Sequence, residues 1–62
     1  MEYLKKIRLE KNLKQKEMAK LINVSISAYT KIESGHLSPS FNFIKKFKIT
    51  FPEADANEFF KN

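Results

Sequence analysis

The segment spanning residues 13–36 constrains the fold most, because it holds two helical patterns separated by a very short connection. The first pattern places Met18, Ala19 and Ile22 on one helix face, at spacings of three and four residues. Asn23 is expected to end this helix, since asparagine tolerates the left-handed backbone conformation that closes many helices. The sequence therefore predicts an amphipathic helix over residues 15–22, followed directly by a tight turn.

A second helix is predicted immediately after the turn, from Ser25 to Ser34. Ser25 is a good N-cap residue, and Tyr29 and Ile32 have the spacing expected of the inward face. Gly35, the only glycine of the chain, follows this helix at the position where a left-handed C-cap residue is expected. A connection of three residues is too short for an antiparallel hairpin with a broad interface and fits the corner of a helix-turn-helix unit, over about residues 15–34.

Another helix is predicted before this unit, over residues 2–11, with Leu4 and Ile7 along one line and Asn12 as its end. Lys14 precedes Gln15 at the start of the next helix, where Ser or Thr would be the better cap. The sequence thus predicts a weakly capped start for the first helix of the unit.

A fourth helix is predicted after the loop of residues 36–38, because Pro39 favours an extended residue before it and Ser40 is a good N-cap residue. Its apolar residues at helical spacing are Phe41, Ile44 and Phe47. Lys45, Lys46 and Lys48 could form a second anion site, but the favoured interpretation is a solvated face opposite that apolar line.

A short fifth helix, over about residues 56–61, is predicted after Pro52 because Asp55 and Glu58 have the spacing of a capping box. Phe59 and Phe60 are adjacent, and neighbouring residues on a helix point about 100° apart. Both can be buried only if a second surface covers one of them, so this pair is a candidate dimer contact. The chain as a whole is predicted to be all-α, with five short helices in a single domain over residues 1–62.

Charge favours an anionic partner. The formal net charge is +5, and residues 1–31 carry eight Lys or Arg against three acids, whereas residues 32–62 carry four against four. A basic surface binds polyanions through counterion release, so nucleic acid is the leading partner and an anionic membrane surface a weaker one. Simple solvation of a small domain by lysine is the alternative explanation of this charge.

Composition excludes several other classes of function. The chain has no cysteine and one histidine, so no disulfide framework, metal site or other cofactor is expected. Its apolar runs are too short for a membrane span, and Met1 leads into charged residues, so a cytoplasmic protein is expected. No paired nucleophile and base and no glycine-rich phosphate loop are present, which argues against an enzyme.

The outward side of the predicted third helix carries Ile26, Ser27, Thr30 and Lys31. Hydroxyl groups can donate to or accept from base edges, lysine suits guanine acceptors, and isoleucine can contact a thymine methyl group. The same residues could also be ordinary solvated surface, and the tight turn before them favours the DNA-reading interpretation.

The run IRLEKNLKQKEMAKLINVSISAYTKIESGHLSPS resembles the helix-turn-helix of lambda-repressor-like proteins of the Cro/repressor, Xre type, with the resemblance covering residues 4 to about 51. It implies five short helices and a dimer that places the third helix of each subunit in a major groove of a near-palindromic operator. The base-reading positions that it implies are Ser25, Ile26, Ser27, Thr30 and Lys31. The phosphate-contacting positions are Lys14, Gln15, Tyr29, His36, Ser38 and Ser40.

The resemblance also implies that Arg8, the only arginine, forms a structural ion pair with Glu33 and does not contact DNA. The chain departs from the family pattern at Asn12 and Asn23, which stand where glycine is frequent. No Gln, Asn or Arg occupies a base-reading position, which predicts a site rich in A·T pairs, read through thymine methyl groups and DNA shape.

Two functions are consistent with these features. The first is a small bacterial or phage repressor or Cro-like regulator that binds operator DNA. The second is a protein-interaction module of antitoxin or anti-repressor type on the same fold, with DNA binding secondary or absent.

Overall fold

A computed structural model describes residues 1–60 of the chain. Within these residues the fold consists of four α-helices and a final 3-10 helix, with no strand. The α-helices are α1 (Glu2–Glu10), α2 (Gln15–Ile22), α3 (Ile26–Glu33) and α4 (Phe41–Thr50), and the 3-10 helix is Ala56–Phe60. The prediction of an all-α fold is confirmed.

Three helices end in the same local structure. A residue with left-handed backbone lies one or two positions after each of α1, α2 and α3, with φ of 56° at Asn12, 67° at Asn23 and 87° at Gly35. After α2, Asn23 N–H donates to the Lys20 carbonyl at 3.1 Å and Val24 N–H to the Ala19 carbonyl at 3.0 Å. This is the Schellman pattern, and it allows a helix to stop and the chain to turn within two residues. The predicted helix ends are therefore confirmed.

The core lies between the helices and joins α1, α2, α3, α4 and the 3-10 helix. The buried apolar side chains are Leu4, Met18, Ala19, Ile22, Tyr29, Ile32, Phe43, Phe47, Phe51, Ala54 and Phe59. The two interior positions of α3, Tyr29 and Ile32, face inward as predicted. In α4 the prediction is wrong in register, because Phe43 is buried and Phe41 is 82% exposed. Phe43 and Phe47 are four residues apart and turn toward Phe59, whereas Phe41 opens the helix beyond the edge of the core.

The C-terminal helix is a 3-10 helix where an α-helix was expected, and the predicted residue 61 lies outside the described residues. Asp55 caps it, but its carboxylate accepts a hydrogen bond from Asn57 N–H at 3.0 Å and not from the Glu58 N–H of the predicted capping box, which donates to the Asp55 carbonyl. Phe59 packs inside its own chain, against Phe47 at 5.0 Å and Tyr3 at 5.8 Å between ring centroids. The prediction of a dimer contact at Phe59 is therefore wrong.

The lysines of α4 do not all lie on a solvated face. The ammonium group of Lys48 donates to the carbonyls of Pro52, at 2.7 Å, and of Ala54. Lys46 donates to the Asn23 carbonyl at 3.0 Å, across 23 residues of sequence. Two of the three lysines thus bind backbone carbonyls, which argues against a shared anion site. No helix in the described part of the chain is long and apolar enough to cross a membrane.

Candidate nucleic-acid interface

The third helix presents a continuous exposed side. Its start is fixed by Ser25, whose hydroxyl accepts a hydrogen bond from Ala28 N–H at 3.1 Å. Ser25, Ile26, Ser27 and Lys31 are exposed. Together they offer hydroxyl groups, one apolar side chain and one ammonium group, without a carboxylate, which suits contact with base edges in a polyanion.

Thr30 is only half-buried on this side, and its hydroxyl donates to the Ser27 carbonyl at 3.1 Å. A hydroxyl has a single hydrogen to donate, so in this conformation Thr30 can offer a base its oxygen lone pair and its methyl group. It is the least available of the five predicted base-reading residues.

A buried polar network supports the opposite side of α3. The Arg8 guanidinium donates to both carboxylate oxygens of Glu33, at 2.9 and 3.0 Å, and also to the Leu13 carbonyl at 2.9 Å. The Tyr29 hydroxyl donates to Glu33 at 2.5 Å, and the Gln15 amide donates to it at 3.2 Å. The side chains of Arg8 and Glu33 are 12% and 6% exposed. This arrangement ties α1, α2 and α3 to one carboxylate, as the resemblance implied for Arg8 and Glu33.

The network also fixes the charge state of its members. The hydrogen bond to Glu33 raises the pKa of Arg8 above its usual value. Burial alone would raise the pKa of Glu33, but the hydrogen bonds from Arg8, Tyr29 and Gln15 outweigh it and hold this pKa below its usual value. Burial, together with the hydrogen bond to Glu33, raises the pKa of Tyr29. Glu33 is therefore a carboxylate and Tyr29 a neutral phenol at neutral pH.

Tyr29 is fully buried, so the predicted phosphate contact at Tyr29 is wrong. Its helical spacing with Ile32 had placed it inward, and the hydroxyl finds its partner in Glu33 inside the protein. Gln15 is exposed at the start of α2 although its amide reaches Glu33. That hydrogen bond uses one donor of the amide, so the side chain keeps a second N–H and its carbonyl oxygen for a phosphate or water.

The weak N-cap residue Lys14 is compensated by the carboxylate of Glu17. Its backbone N–H donates to the Glu17 carboxylate at 2.8 Å, which is the half of a capping box that does not need a hydroxyl at the N-cap position. The Lys14 side chain is exposed beside Gln15, so the ammonium group is available to an anion.

The loop between α3 and α4 presents exposed polar side chains at the other end of the unit. His36 and Ser38 are exposed, and the Ser34 hydroxyl lies 2.7 Å from His36 Nδ1. Ser40 caps α4 by accepting from Phe43 N–H at 3.1 Å, and the first intrahelical donor is the Ile44 N–H. The N–H groups of Phe41 and Asn42 precede that donor, so the helix start offers the backbone donors that suit a phosphate oxygen.

Lys16 and Lys20 are two basic residues that the sequence analysis did not single out. They are exposed on α2 and line a shallow groove together with Asn23, Val24 and Ile26. They are four residues apart and therefore share one side of α2, beside the start of α3. This spacing, next to the predicted DNA-reading helix, was the sequence signal that could have identified the two lysines. The described residues contain no group of three or more His, Cys, Asp or Glu placed to hold a metal ion.

Comparison with known proteins identifies the architecture. A helix-turn-helix family model matches residues 4–47, which is more than half of the chain and spans α1 to α4 up to Phe47. No curated protein and no solved structure gives a significant match. The matched segment contains the turn at Asn23, the exposed side of α3 and the buried network behind it. The chain belongs to the Cro/repressor-type, Xre-like family of DNA-binding helix-turn-helix domains.

Proposed function

We propose that this chain is a sequence-specific transcriptional regulator, a small repressor or Cro-like protein of bacterial or phage type that acts on operator DNA in the cytoplasm. The observation that carries the proposal is the exposed side of α3, which is free of carboxylates and is held from behind by the network around Glu33. A rigid support matters because base-edge hydrogen bonds need their donors within a few tenths of an ångström.

The proposed mechanism is occupancy of the operator. The third helix lies in the major groove, with Ser25, Ile26, Ser27 and Lys31 toward base edges. Contacts to the DNA phosphates flank this helix on both sides. On one side they come from the start and exposed face of α2, through Lys14, Gln15, Lys16 and Lys20. On the other side they come from the loop after α3 and the start of α4, through His36, Ser38 and Ser40. Two subunits read half-sites about 34 Å apart and exclude polymerase or a competing regulator. The reading side lacks an amide or guanidinium group, so the proposed operator is rich in A·T pairs.

The test is selection of bound sites from a random pool of duplex DNA, followed by a salt titration on the selected site. The expected motif is a near-palindrome, and log K should fall linearly with log salt concentration, by roughly 0.9 for each phosphate contact. Failure of the folded protein to enrich any sequence, or a binding constant that does not depend on salt, would refute the proposal.

Dimerisation is proposed through apolar side chains outside the core. Phe60 is 70% exposed, and α4 presents Phe41 and Ile49, at 82% and 72% exposure, around a shallow groove lined also by Ile44 and Ala56. Neighbouring exposed apolar side chains such as those of the α4 groove are a candidate interaction site in a soluble protein. Sedimentation of the protein with and without its selected DNA measures the stoichiometry. Ile49→Glu should leave a monomer bound to one half-site, whereas the charge-matched change Asn57→Glu should not.

The same apolar side of α4 supports a second candidate function, binding of a different protein by an antitoxin- or anti-repressor-type module. Gel filtration of the pure chain, alone and with candidate partners, separates the two. A homodimer that enriches a palindrome supports the regulator. A chain that stays monomeric, enriches no DNA sequence and forms a stoichiometric complex with another protein supports the module.

A further inference from the structure

The end of α2 leaves carbonyl groups that its own turn does not satisfy. The Schellman hydrogen bonds from Asn23 and Val24 use the carbonyls of Lys20 and Ala19. The carbonyls of Leu21 and Asn23 come later in the chain, where α2 ends and the chain continues to α3. Side chains of another helix satisfy both of them.

These side chains belong to α4. Lys46 Nζ donates to the Asn23 carbonyl at 3.0 Å. Thr50 Oγ1 lies 3.3 Å from the Leu21 carbonyl and 3.0 Å from the Lys46 carbonyl, so its single hydrogen can donate to either of them. Lys46 and Thr50 are four residues apart, one turn along the same side of α4. The two donors thus form a clamp between α4 and the end of α2.

The charge of Lys46 suits this position. The C-terminal end of a helix carries partial negative charge on its last carbonyls, which favours a cation there. An ammonium group has three hydrogens and no fixed plane, so it can follow a carbonyl whose direction is set by the left-handed residue Asn23.

We propose that Lys46 and Thr50 are positioning residues for DNA recognition: by holding the carbonyls of Asn23 and Leu21 they fix the angle at which α3 leaves the turn. The inference rests on the proposed function. The eight residues of α3 span about 12 Å, so a change of about 5° at the turn moves the far end of the helix by about 1 Å. A displacement of that size breaks base-edge hydrogen bonds at Lys31 while leaving the salt-dependent attraction to phosphates intact.

The test compares Lys46→Met with Lys5→Met. Both changes remove one ammonium group and keep an unbranched apolar chain, but Lys5 is exposed on α1 and takes no part in the clamp or in the apolar groove of α4. Thr50→Val removes the second donor at nearly constant volume. Affinity is measured for the selected operator and for unrelated duplex DNA, each over a range of salt concentrations. The temperature is kept well below the melting temperature of every variant.

The loss of a hydrogen bond corresponds to roughly a three- to tenfold change in an equilibrium constant. Lys46→Met is therefore expected to weaken operator binding by roughly that factor more than Lys5→Met does, with equal affinity of the two variants for unrelated DNA and an unchanged salt slope. Thr50→Val should act in the same direction, by about twofold. An equal loss on both DNAs, with a slope shallower by about 0.9, would identify Lys46 as a phosphate contact and overturn the inference. Unchanged binding to both would overturn it as well.

Amide hydrogen exchange tests the clamp without DNA. The N–H groups of Asn23 and Val24 report on the turn, since both are hydrogen-bonded there. They should exchange several-fold faster in Lys46→Met than in wild type and in Lys5→Met, while the amides of α1 in Lys46→Met keep their wild-type rates. Equal rates in the two variants would overturn the inference. A wild-type chain that binds no DNA refutes the proposed function instead, so the two failures are distinguishable.

Discussion

The two sides of α3 use polar groups in opposite ways. On the inner side, Tyr29 and Glu33 are buried and fully partnered, in a network that includes the only arginine of the chain. On the outer side, Ser27 and Lys31 are exposed, and their polar groups are hydrated and can exchange water for a ligand. One helix of eight residues therefore carries a structural network on one side and the proposed recognition groups on the other.

The difference arises from the free energy that each side loses when a hydrogen-bond partner is removed. A buried carboxylate or guanidinium that loses its partner keeps the full cost of its desolvation, whereas an exposed hydroxyl or ammonium group returns to water. Substitutions on the inner side should therefore affect folding first and binding as a consequence. Substitutions on the outer side should affect binding and leave folding nearly unchanged.

The largest effect is expected for Glu33→Ala. This change leaves Arg8 charged and buried, with Tyr29 and Gln15 also deprived of their acceptor, and breaking a buried pair in this way typically costs about 3–5 kcal/mol. A small domain has a total stability of roughly 5 kcal/mol. The variant should therefore keep at most about 2 kcal/mol of stability and unfold at the lowest urea concentrations, as measured by urea titration followed by circular dichroism.

Glu10→Ala is the control for this prediction, because Glu10 is exposed at the end of α1 and its removal should change stability by less than about 0.5 kcal/mol. Glu33→Gln should lie between the two, since an amide oxygen can still accept from Arg8. Equal urea midpoints for Glu33→Ala and Glu10→Ala would show that the network adds nothing to stability.

The next effect is a loss of stability in acid. Glu33 has a pKa below its usual value of 4.5 in the folded protein, so above the unfolded pKa both states are ionised and its stabilisation is fully present. As pH falls below about 4.5 the unfolded chain takes up the proton first, and the stabilisation is lost as pH falls through the folded pKa. Between about pH 5 and pH 3, wild type should lose more stability than Glu33→Gln, with the other carboxylates cancelling in the difference. Parallel curves of unfolding free energy against pH for the two proteins would contradict the assignment of this stabilisation to Glu33.

The inner side shows what local sequence rules can predict. Asn12, Asn23 and Gly35 each end a helix by a property of a single residue, namely tolerance of left-handed backbone, and all three ends occur as predicted. The pairing of Arg8 with Glu33 was implied by family resemblance and could not be read from local spacing, since the two residues are 25 positions apart.

Errors arose where two interpretations fit the same local pattern. In α4, residues 41, 44 and 47 and residues 43 and 47 both have helical spacing, and only packing against Phe59 selects the second set. Tyr29 has an apolar ring and a polar tip, so spacing placed it inward while analogy placed its hydroxyl on a phosphate. Lys46 was assigned to solvent because the carbonyl that it binds belongs to a distant turn. Each error concerns a tertiary partner.

On the outer side, Lys31→Ala is expected to have the largest effect on operator binding. Loss of a good base contact typically costs about 1–3 kcal/mol of discrimination, so operator affinity should fall by roughly tenfold or more and preference should relax at one base pair in each half-site. Stability should stay within about 0.5 kcal/mol of wild type, because Lys31 is exposed. Lys5→Ala, in α1, removes the same charge and is the control in both measurements. A selection motif that is the same for both variants would remove Lys31 from the base-reading set.

The smallest effect is expected for Thr30→Val, which tests where the boundary between the two sides lies. Thr30 already spends its hydroxyl hydrogen on the Ser27 carbonyl, and valine keeps the methyl group that can contact a thymine. Operator affinity should therefore change by less than about twofold, and by less than for Ser27→Ala, whose hydroxyl is exposed at the start of the same side. Binding constants for the two variants on one selected operator decide the order. If Thr30→Val proves the more damaging, the Thr30 hydroxyl must leave the Ser27 carbonyl to reach a base, and the reading side of α3 extends one position further toward the core than its exposure in the free protein indicates.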